Sequence, residues 1–289
     1  MQNQELYFNS LEAAKILGVN VSSIKRWTEE GRLACLKTAG GHRKFMMIHL
    51  VNYIKKNKKA TQKLNLFPLE GEEDLQINHQ ILNRNYTFLT EYTMGKSLLC
   101  HTDRVQQILN GLYLSDVTPH EIYDRLITPV LTRIGELWET GKITVFKEHI
   151  ASQTIRDALI RLQGIIPVPS QKRERVFCWS LSTELHDIAL KMVQHLLETR
   201  GFDVFFTGQR TPAVDLDIIL SSFKPRRIYI SSSYVPDTAG LQEELLHLFD
   251  LSLSKNINVF VGGRGFDRLS YDHPAVKKRL YTFEEVYVS

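Results

Sequence analysis

No stretch of this 289-residue chain approaches the roughly 20 apolar residues that a membrane-spanning helix needs. Its opening, MQNQELYFNS, lacks the basic start and apolar run of a secretion signal. The expected location is therefore the cytoplasm, with no membrane partner. Cysteine is scarce. Cys35, Cys100 and Cys178 are far apart and odd in number, which argues against a disulfide framework and a cysteine-based zinc site; all three are expected as small core residues. No phosphate loop, metal cluster or added nucleophile stands out, so an enzyme is not expected. Between residues 75 and 166 there is little Gly or Pro, and loop punctuation is correspondingly thin there.

What is present is ordinary globular material, 43% hydrophobic and 24% charged, long enough for two or three domains. The net charge of +4 becomes informative once divided: residues 1–60 carry eleven Lys or Arg and four Glu, a net +7, which leaves the remainder at −3. A basic head on a mildly acidic body points to a nucleic-acid-facing N-terminal domain.

Residues 9–17 form a short helix in this reading, with Asn9 as cap, Glu12 completing a capping box, Phe8 packing back as a staple, and Leu11, Ala14 and Leu17 on the apolar face. Gly18-Val19-Asn20 makes a tight turn, and a second helix over 21–30 points Ile24 and Trp27 inward. This is a helix-turn-helix. Ser22, Ser23, Lys25 and Arg26 lie where a recognition helix reads the groove. LACLKTAGGHRKF then predicts a β-hairpin whose tip carries Lys37, Thr38, His42, Arg43 and Lys44, a wing suited to phosphates. The run from Ile24-Lys25-Arg26-Trp27 through Gly31-Arg32-Leu33 to Gly40-Gly41-His42-Arg43 resembles the MerR-type and excisionase-type DNA-binding domains over about residues 7–56. The partner it implies is a double-stranded DNA operator.

A linker at 59–74, whose lysines serve either phosphates or solvent, leads to helical periodicity over 76–95, 101–113, 117–140 and 145–165, an antiparallel four-helix bundle. Trp138 ends one helix and Glu148-His149 open the next; read alone, Trp138 is a core residue and Glu148 a helix-start charge. From residue 175 strands alternate with helices: RVFCWS, 187–200, DVFFTG, 213–221, RIYISSS, 238–253, NVFVGG. The expected fold is thus multidomain: an α+β winged helix-turn-helix (1–58), an all-α four-helix bundle (75–168) and an α/β doubly wound parallel sheet (172–289).

Ligands in such sheets bind at the carboxyl ends of the strands. Three segments reach that edge: Glu184-Leu185-His186-Asp187-Ile188-Ala189, Ser231-Ser232-Ser233 and Gly262-Gly263. A His at a helix start is more often a surface residue or cap when it stands alone; here it converges with hydroxyls and a Gly pair. The three segments resemble the Asp-x-His-x-x-Gly, Ser-x-Leu and Gly-Gly signature of the Rossmann-like cobalamin-binding fold. The resemblance implies cobalamin as cofactor, His186 as the lower axial ligand of cobalt and Glu184 hydrogen-bonded to its other nitrogen. Asp187, Ala189, Ser231, Ser233, Gly262 and Gly263 would line the site. Glu184 stands for Asp, Ala189 for Gly and Ser233 for Leu.

In domain order the whole chain resembles the CarH and LitR family of light-responsive repressors, whose bundle carries a Trp, nine residues and then Glu-His; Trp138 and Glu148-His149 match. The resemblance implies that Trp138 and Glu148, with His149 beside them, meet the upper ligand of adenosylcobalamin. It also implies a homo-oligomer (dimer or tetramer) on DNA and a cobalamin-controlled repressor. Where light-responsive members carry a His just after the Trp, this sequence has Glu139. The replaced motif positions motivate a second function, a cofactor-free regulator whose degenerate cobalamin-like domain binds a protein partner such as an antirepressor.

Overall fold

The computed structural model describes residues 7–57, 72–211 and 215–289, in two compact units, Met1–Pro167 and Val168–Ser289. Most of the expected linker lies outside the described residues; its last three positions open a helix.

The first unit begins with β1 (Tyr7–Phe8), α1 (Ser10–Leu17), α2 (Val21–Glu29), β2 (Leu36–Lys37), β3 (Arg43–Met46) and α3 (Met47–Lys56). The α1 cap is reciprocal. Asn9 Oδ1 accepts from the N–H of Leu11 and Glu12 at 2.9 and 3.0 Å, while Asn9 N–H donates to Glu12 Oε2 at 2.7 Å. Gly18 ends α1 at φ 64°, a left-handed conformation that glycine adopts at little cost. One element is added here and one expectation changes. Phe8 lies in a strand opposite Phe45, giving the wing sheet a third member in the order β1-β3-β2. Leu11 is exposed, and the buried face is Ala13, Ala14 and Leu17. Behind α2, Trp27 stacks on Tyr53 of α3 at 4.7 Å.

The bundle comprises α4 (Glu72–Leu82), α5 (Tyr86–Leu98), α6 (Thr102–Leu114), α7 (Pro119–Ile122), α8 (Thr128–Glu139) and α9 (Val145–Gln163). The helix expected over 76–95 is two helices. Arg84 is left-handed at φ 51° and Asn85 caps the second, its Oδ1 accepting from Phe88 N–H. Asparagine side chains that bond nearby backbone favour such breaks over helix interiors. The reverse holds for 117–140, where α7 and α8 run on through one wide turn, Tyr123–Ile127, ahead of Pro129. Proline lacks the N–H that the regular ladder needs, and a π turn accommodates the gap. Thr118 and Thr144 cap their helices as expected. Cys178 is buried, Cys35 only partly so, and Cys100 is exposed at the end of α5, so the core reading holds for one cysteine.

The second unit is a five-stranded parallel sheet of β4 (Arg175–Ser180), β5 (Asp203–Phe206), β6 (Arg227–Ser231), β7 (Asn258–Gly262) and β8 (Val276–Leu280) in the order β5-β4-β6-β7-β8. Its helices are α10 (Ile188–Thr199), α11 (Leu216–Phe223), α12 (Thr238–Ser254) and α13 (Phe283–Val288). β8 was not expected, because VKKRL reads as polar; it is the edge strand, where lysines discourage further pairing. The sheet unit closes with the six residues of α13, capped by Thr282. Phe177, Trp179, Ile228, Ile230, Leu245, Phe249, Val259 and Val261 hold the sheet to its helices. The order reverses between β4 and β6, so a crevice is expected at their carboxyl ends.

Candidate functional site

All five parallel strands end at that edge. In register, Ser180, Ser231, Gly262 and Leu280 form one row across β4, β6, β7 and β8. Beyond the row, the segment after β4 folds over the edge before α10 begins, and it carries Glu184 and His186. Glu184 is only 2% exposed and accepts four hydrogen bonds. Two come from His186, its Nδ1–H to Oε1 at 3.0 Å and its backbone N–H to Oε1 at 2.7 Å. Two come from the loop after β6, Ser233 N–H to Oε2 at 2.5 Å and Tyr234 N–H at 3.4 Å.

Burial by itself would raise the Glu184 pKa; the hydrogen bonds from the His186 ring and from the Ser233 and His186 amides outweigh it and hold the carboxyl below its ordinary range. An ionised Glu184 fixes the Nδ1–H tautomer of His186, which makes Nε2 the basic nitrogen. The His186 side chain is 58% exposed while its carboxylate partner is buried. The loop after β5 braces the same segment, with Gln209 Nε2 donating to Leu185 O at 2.8 Å and Arg210 N–H to Glu184 O at 3.2 Å.

At the ends of β4 and β6 the hydroxyls of Ser180 and Ser232, with that of Thr183, are buried and meet no hydrogen-bond partner among the described residues. Buried unpartnered hydroxyls are costly, and a polar ligand in the crevice would satisfy them. Ser231 is buried and Ser233 exposed, while Asp187 is buried and Ala189 half-buried at the start of α10. Gly263, at φ 92°, has a structural reason of its own: a Cβ there would meet Ser232 O at 2.2 Å. Sequence reasoning missed Ser180, Thr183, Gln209 and Arg210; only the strand order reveals that these positions share the edge. The residues at this edge thus fit a corrinoid, with an oriented imidazole beside a polar crevice.

In the bundle, Trp138 is 45% exposed near the end of α8, with Val145 and Phe146 exposed at the start of α9. Glu148 accepts from Ser152 Oγ at 2.7 Å and shares a 2.7 Å hydrogen bond with His149 Nδ1, the latter side chain 71% exposed. A Trp left this open is not a core residue.

In the head, Ser22, Lys25 and Arg26 are exposed on the side of α2 away from buried Ile24 and Trp27, with Ser23 half-buried. The wing tip is closed by Thr38, whose N–H donates to His42 O and whose Oγ1 accepts from His42 N–H. Lys37, His42 and Lys44 are exposed. Arg43 differs. Its guanidinium donates to Thr28 Oγ1 at 2.7 Å and to Glu29 Oε1 at 3.0 Å and is 17% exposed, so it ties the wing to the end of α2.

A family model described as a helix-turn-helix domain matches residues 7–58, and one described as a B12 binding domain matches residues 100–163. The chain is 26% identical to the HTH-type transcriptional repressor CarH of Myxococcus xanthus over 93% of its length and 91% of that protein. It is 23% identical to dimethylamine corrinoid protein 3 of Methanosarcina acetivorans over 52% of this chain and 70% of that one. The solved monomethylamine corrinoid protein of Methanosarcina barkeri shares the fold, with a TM-score of 0.56 at 13% identity over 70% of this chain and 96% of that chain. The resemblance read from the motifs is borne out, as is the multidomain fold: a helix-turn-helix head, a helical B12-binding region and a parallel sheet. Among the described residues no helix is long and apolar enough to cross a membrane.

Proposed function

We propose that this chain, CarH-like in sequence and domain order, is a transcriptional repressor whose oligomerisation and DNA binding are set by bound adenosylcobalamin. The observation that carries the reading is the buried Glu184 carboxylate, which orients the His186 imidazole at the same sheet edge as the unpartnered hydroxyls of Ser180 and Ser232. Bound cobalamin would supply a cobalt centre able to take a nitrogen ligand from the protein and to exchange another. His186 Nε2 is the proposed lower ligand, with Glu184 holding the ring. Asp187, Ala189, Ser231, Ser233, Gly262 and Gly263 line the approach. Trp138, Glu148 and His149 are assigned to the upper ligand. Ser22, Ser23, Lys25 and Arg26 read the operator, while Lys37, Thr38, His42 and Lys44 meet phosphates. Arg43 positions the wing rather than binding phosphate itself.

Regulation then rests on avidity. One small head binds weakly, and heads joined in a dimer or tetramer bind far better. The test is to mix the purified chain with adenosylcobalamin in the dark, desalt it and record the corrinoid absorbance. Retained cobalamin that is lost in His186→Ala supports the assignment; no retention by the unaltered chain overturns it. Illuminating the same sample tests the light response. A changed spectrum and a smaller sedimenting species extend the reading to light, and an unchanged spectrum confines it to cobalamin sensing. The second reading, a cofactor-free module for an antirepressor, draws on Gly263, which the fold itself requires for the approach to Ser232. It predicts DNA binding indifferent both to cobalamin and to His186→Ala.

A further inference from the structure

The edge of the sheet opposite His186 has a charge that neither the fold nor the cofactor explains. Residues 168–289 carry fifteen Lys or Arg and fifteen Asp or Glu, a net charge of zero. Seven of the cations gather where the strands begin: Lys172, Arg173, Arg175, Arg200, Lys224, Arg226 and Arg227. The parallel topology puts these positions together. Arg175 pairs in register with Asp203 and Arg227 with Val176 and Asn258; Arg173 N–H donates to Gly201 O at 2.7 Å and Arg226 N–H to Arg175 O at 2.8 Å.

Three guanidiniums surround one ring. The Cζ atoms of Arg173, Arg200 and Arg227 lie 5.8, 5.2 and 5.2 Å from the centroid of Phe202. Acids at this edge are few. Asp203 pairs with Arg175 at 3.2 Å, Glu174 with Arg227 at 2.5 Å, and Glu198 accepts from Gln194. Lys172, Arg173, Lys224 and Arg226 are exposed and meet no carboxylate among the described residues. Neighbouring strands are about 4.8 Å apart, so these charges lie within roughly one Debye length and act together. Like charges held this close destabilise the folded chain, and a polyanion would relieve the repulsion.

We propose that this basic edge is a second, sequence-independent contact for duplex DNA, reached while the helix-turn-helix head holds its site. The proposal rests on the DNA-binding half of the function given above and not on cobalamin. A guanidinium presents a fork of N–H donors suited to phosphate oxygens, and the head already commits the chain to duplex. An acidic face of a second copy is the competing occupant, since the rest of this neutral unit must be net acidic.

The test uses the full chain with a fluorescently labelled 40-base-pair duplex of arbitrary sequence, titrated at several salt concentrations. The variant Lys172→Gln/Arg173→Gln/Arg226→Gln is compared with the unaltered chain, and Lys172→Gln/Arg226→Gln serves as a variant that spares the Phe202 stack. Each lost phosphate contact lowers the salt slope by about 0.9, so the triple variant should lose between about 2 and 3 in slope and roughly a hundredfold in affinity near physiological salt. The double variant should lose somewhat under 2 in slope. An unchanged slope in both variants overturns the proposal, as does a change confined to sedimentation, which would assign the edge to a second copy. An unaltered chain without affinity for the duplex at low salt overturns the proposal together with the DNA-binding reading; absent cobalamin retention with a normal slope change overturns only the cofactor assignment.

Discussion

Two glutamate–histidine pairs, one in each unit, look alike in sequence and differ in how they are held. Glu148 and His149 are adjacent on α9, and the carboxylate also accepts from Ser152 on the same helix. Glu184 is buried and joins two loops, with the ring and amide of His186 on one oxygen and the amides of Ser233 and Tyr234 on the other. A buried carboxylate with N–H donors from two loops is fixed before any ligand arrives; the α9 pair, with Glu148 18% and His149 71% exposed, is held from within one helix. The sheet unit is thus built to present a nitrogen in one direction, whereas in the bundle unit the His149 ring is largely open and Glu148 is tied to its own helix.

The largest expected effect breaks the buried pair. Glu184→Ala strands the amides of Ser233 and His186 and should cost about 4 kcal/mol of unfolding free energy by denaturant titration, at 1.5 to 3 kcal/mol per hydrogen bond to a charged group. Glu184→Asp sharpens the comparison. Its shorter arm can keep His186 or the β6 loop but not both, so a loss of about 2 kcal/mol is expected. A loss under about 0.5 kcal/mol for Ala would show the two-loop clamp to be unimportant.

Acid should separate the units next. His195, in α10, is buried, and burial lowers its pKa from 6.5 to about 4. Its unfolded form therefore binds a proton first, and stability falls as pH drops from about 6.5 to about 4, by about 3 kcal/mol at 1.36 kcal/mol per unit. Glu184, whose folded pKa is depressed, contributes stability above 4.5 that is lost only below that pH. Tryptophan fluorescence and hydrogen exchange across this range should show the sheet unit opening before the bundle. His195→Gln should flatten the upper part of that profile, and a profile unchanged by it would remove His195 as the cause.

What could be read from the sequence follows the range of the interactions. The α1 cap, the αL glycine and the threonine caps are set within four residues, and Asn9, Gly18, Thr118 and Thr144 stand where their side chains predict. The break at Arg84 is equally local but was hidden by continuous apolar periodicity. Arg43 looked like a phosphate ligand because its partner Glu29 lies fourteen residues away across the hairpin. Gly263 looked like a ligand contact because Ser232, which forbids a Cβ there, comes from a different strand. The motif located Glu184 and His186, yet the second half of the Glu184 clamp depends on β4 and β6 being neighbours, which only the assembled sheet supplies.

The smallest effect is expected at the α9 pair, and it decides whether the contrast is functional. Glu148→Gln keeps an acceptor for Ser152 Oγ and loses a charge bonded within its own helix, so unfolding free energy should change by about 1 kcal/mol. Trp138→Ala should be similarly mild, because the ring is 45% exposed and little apolar area is lost from the core. Retention of adenosylcobalamin after desalting is the informative readout. If both variants fold normally but release the cofactor faster than the unaltered chain, the bundle side chains act on the upper ligand. If neither changes retention, the bundle contributes packing alone, and sensing in this chain reduces to the buried carboxylate and its imidazole.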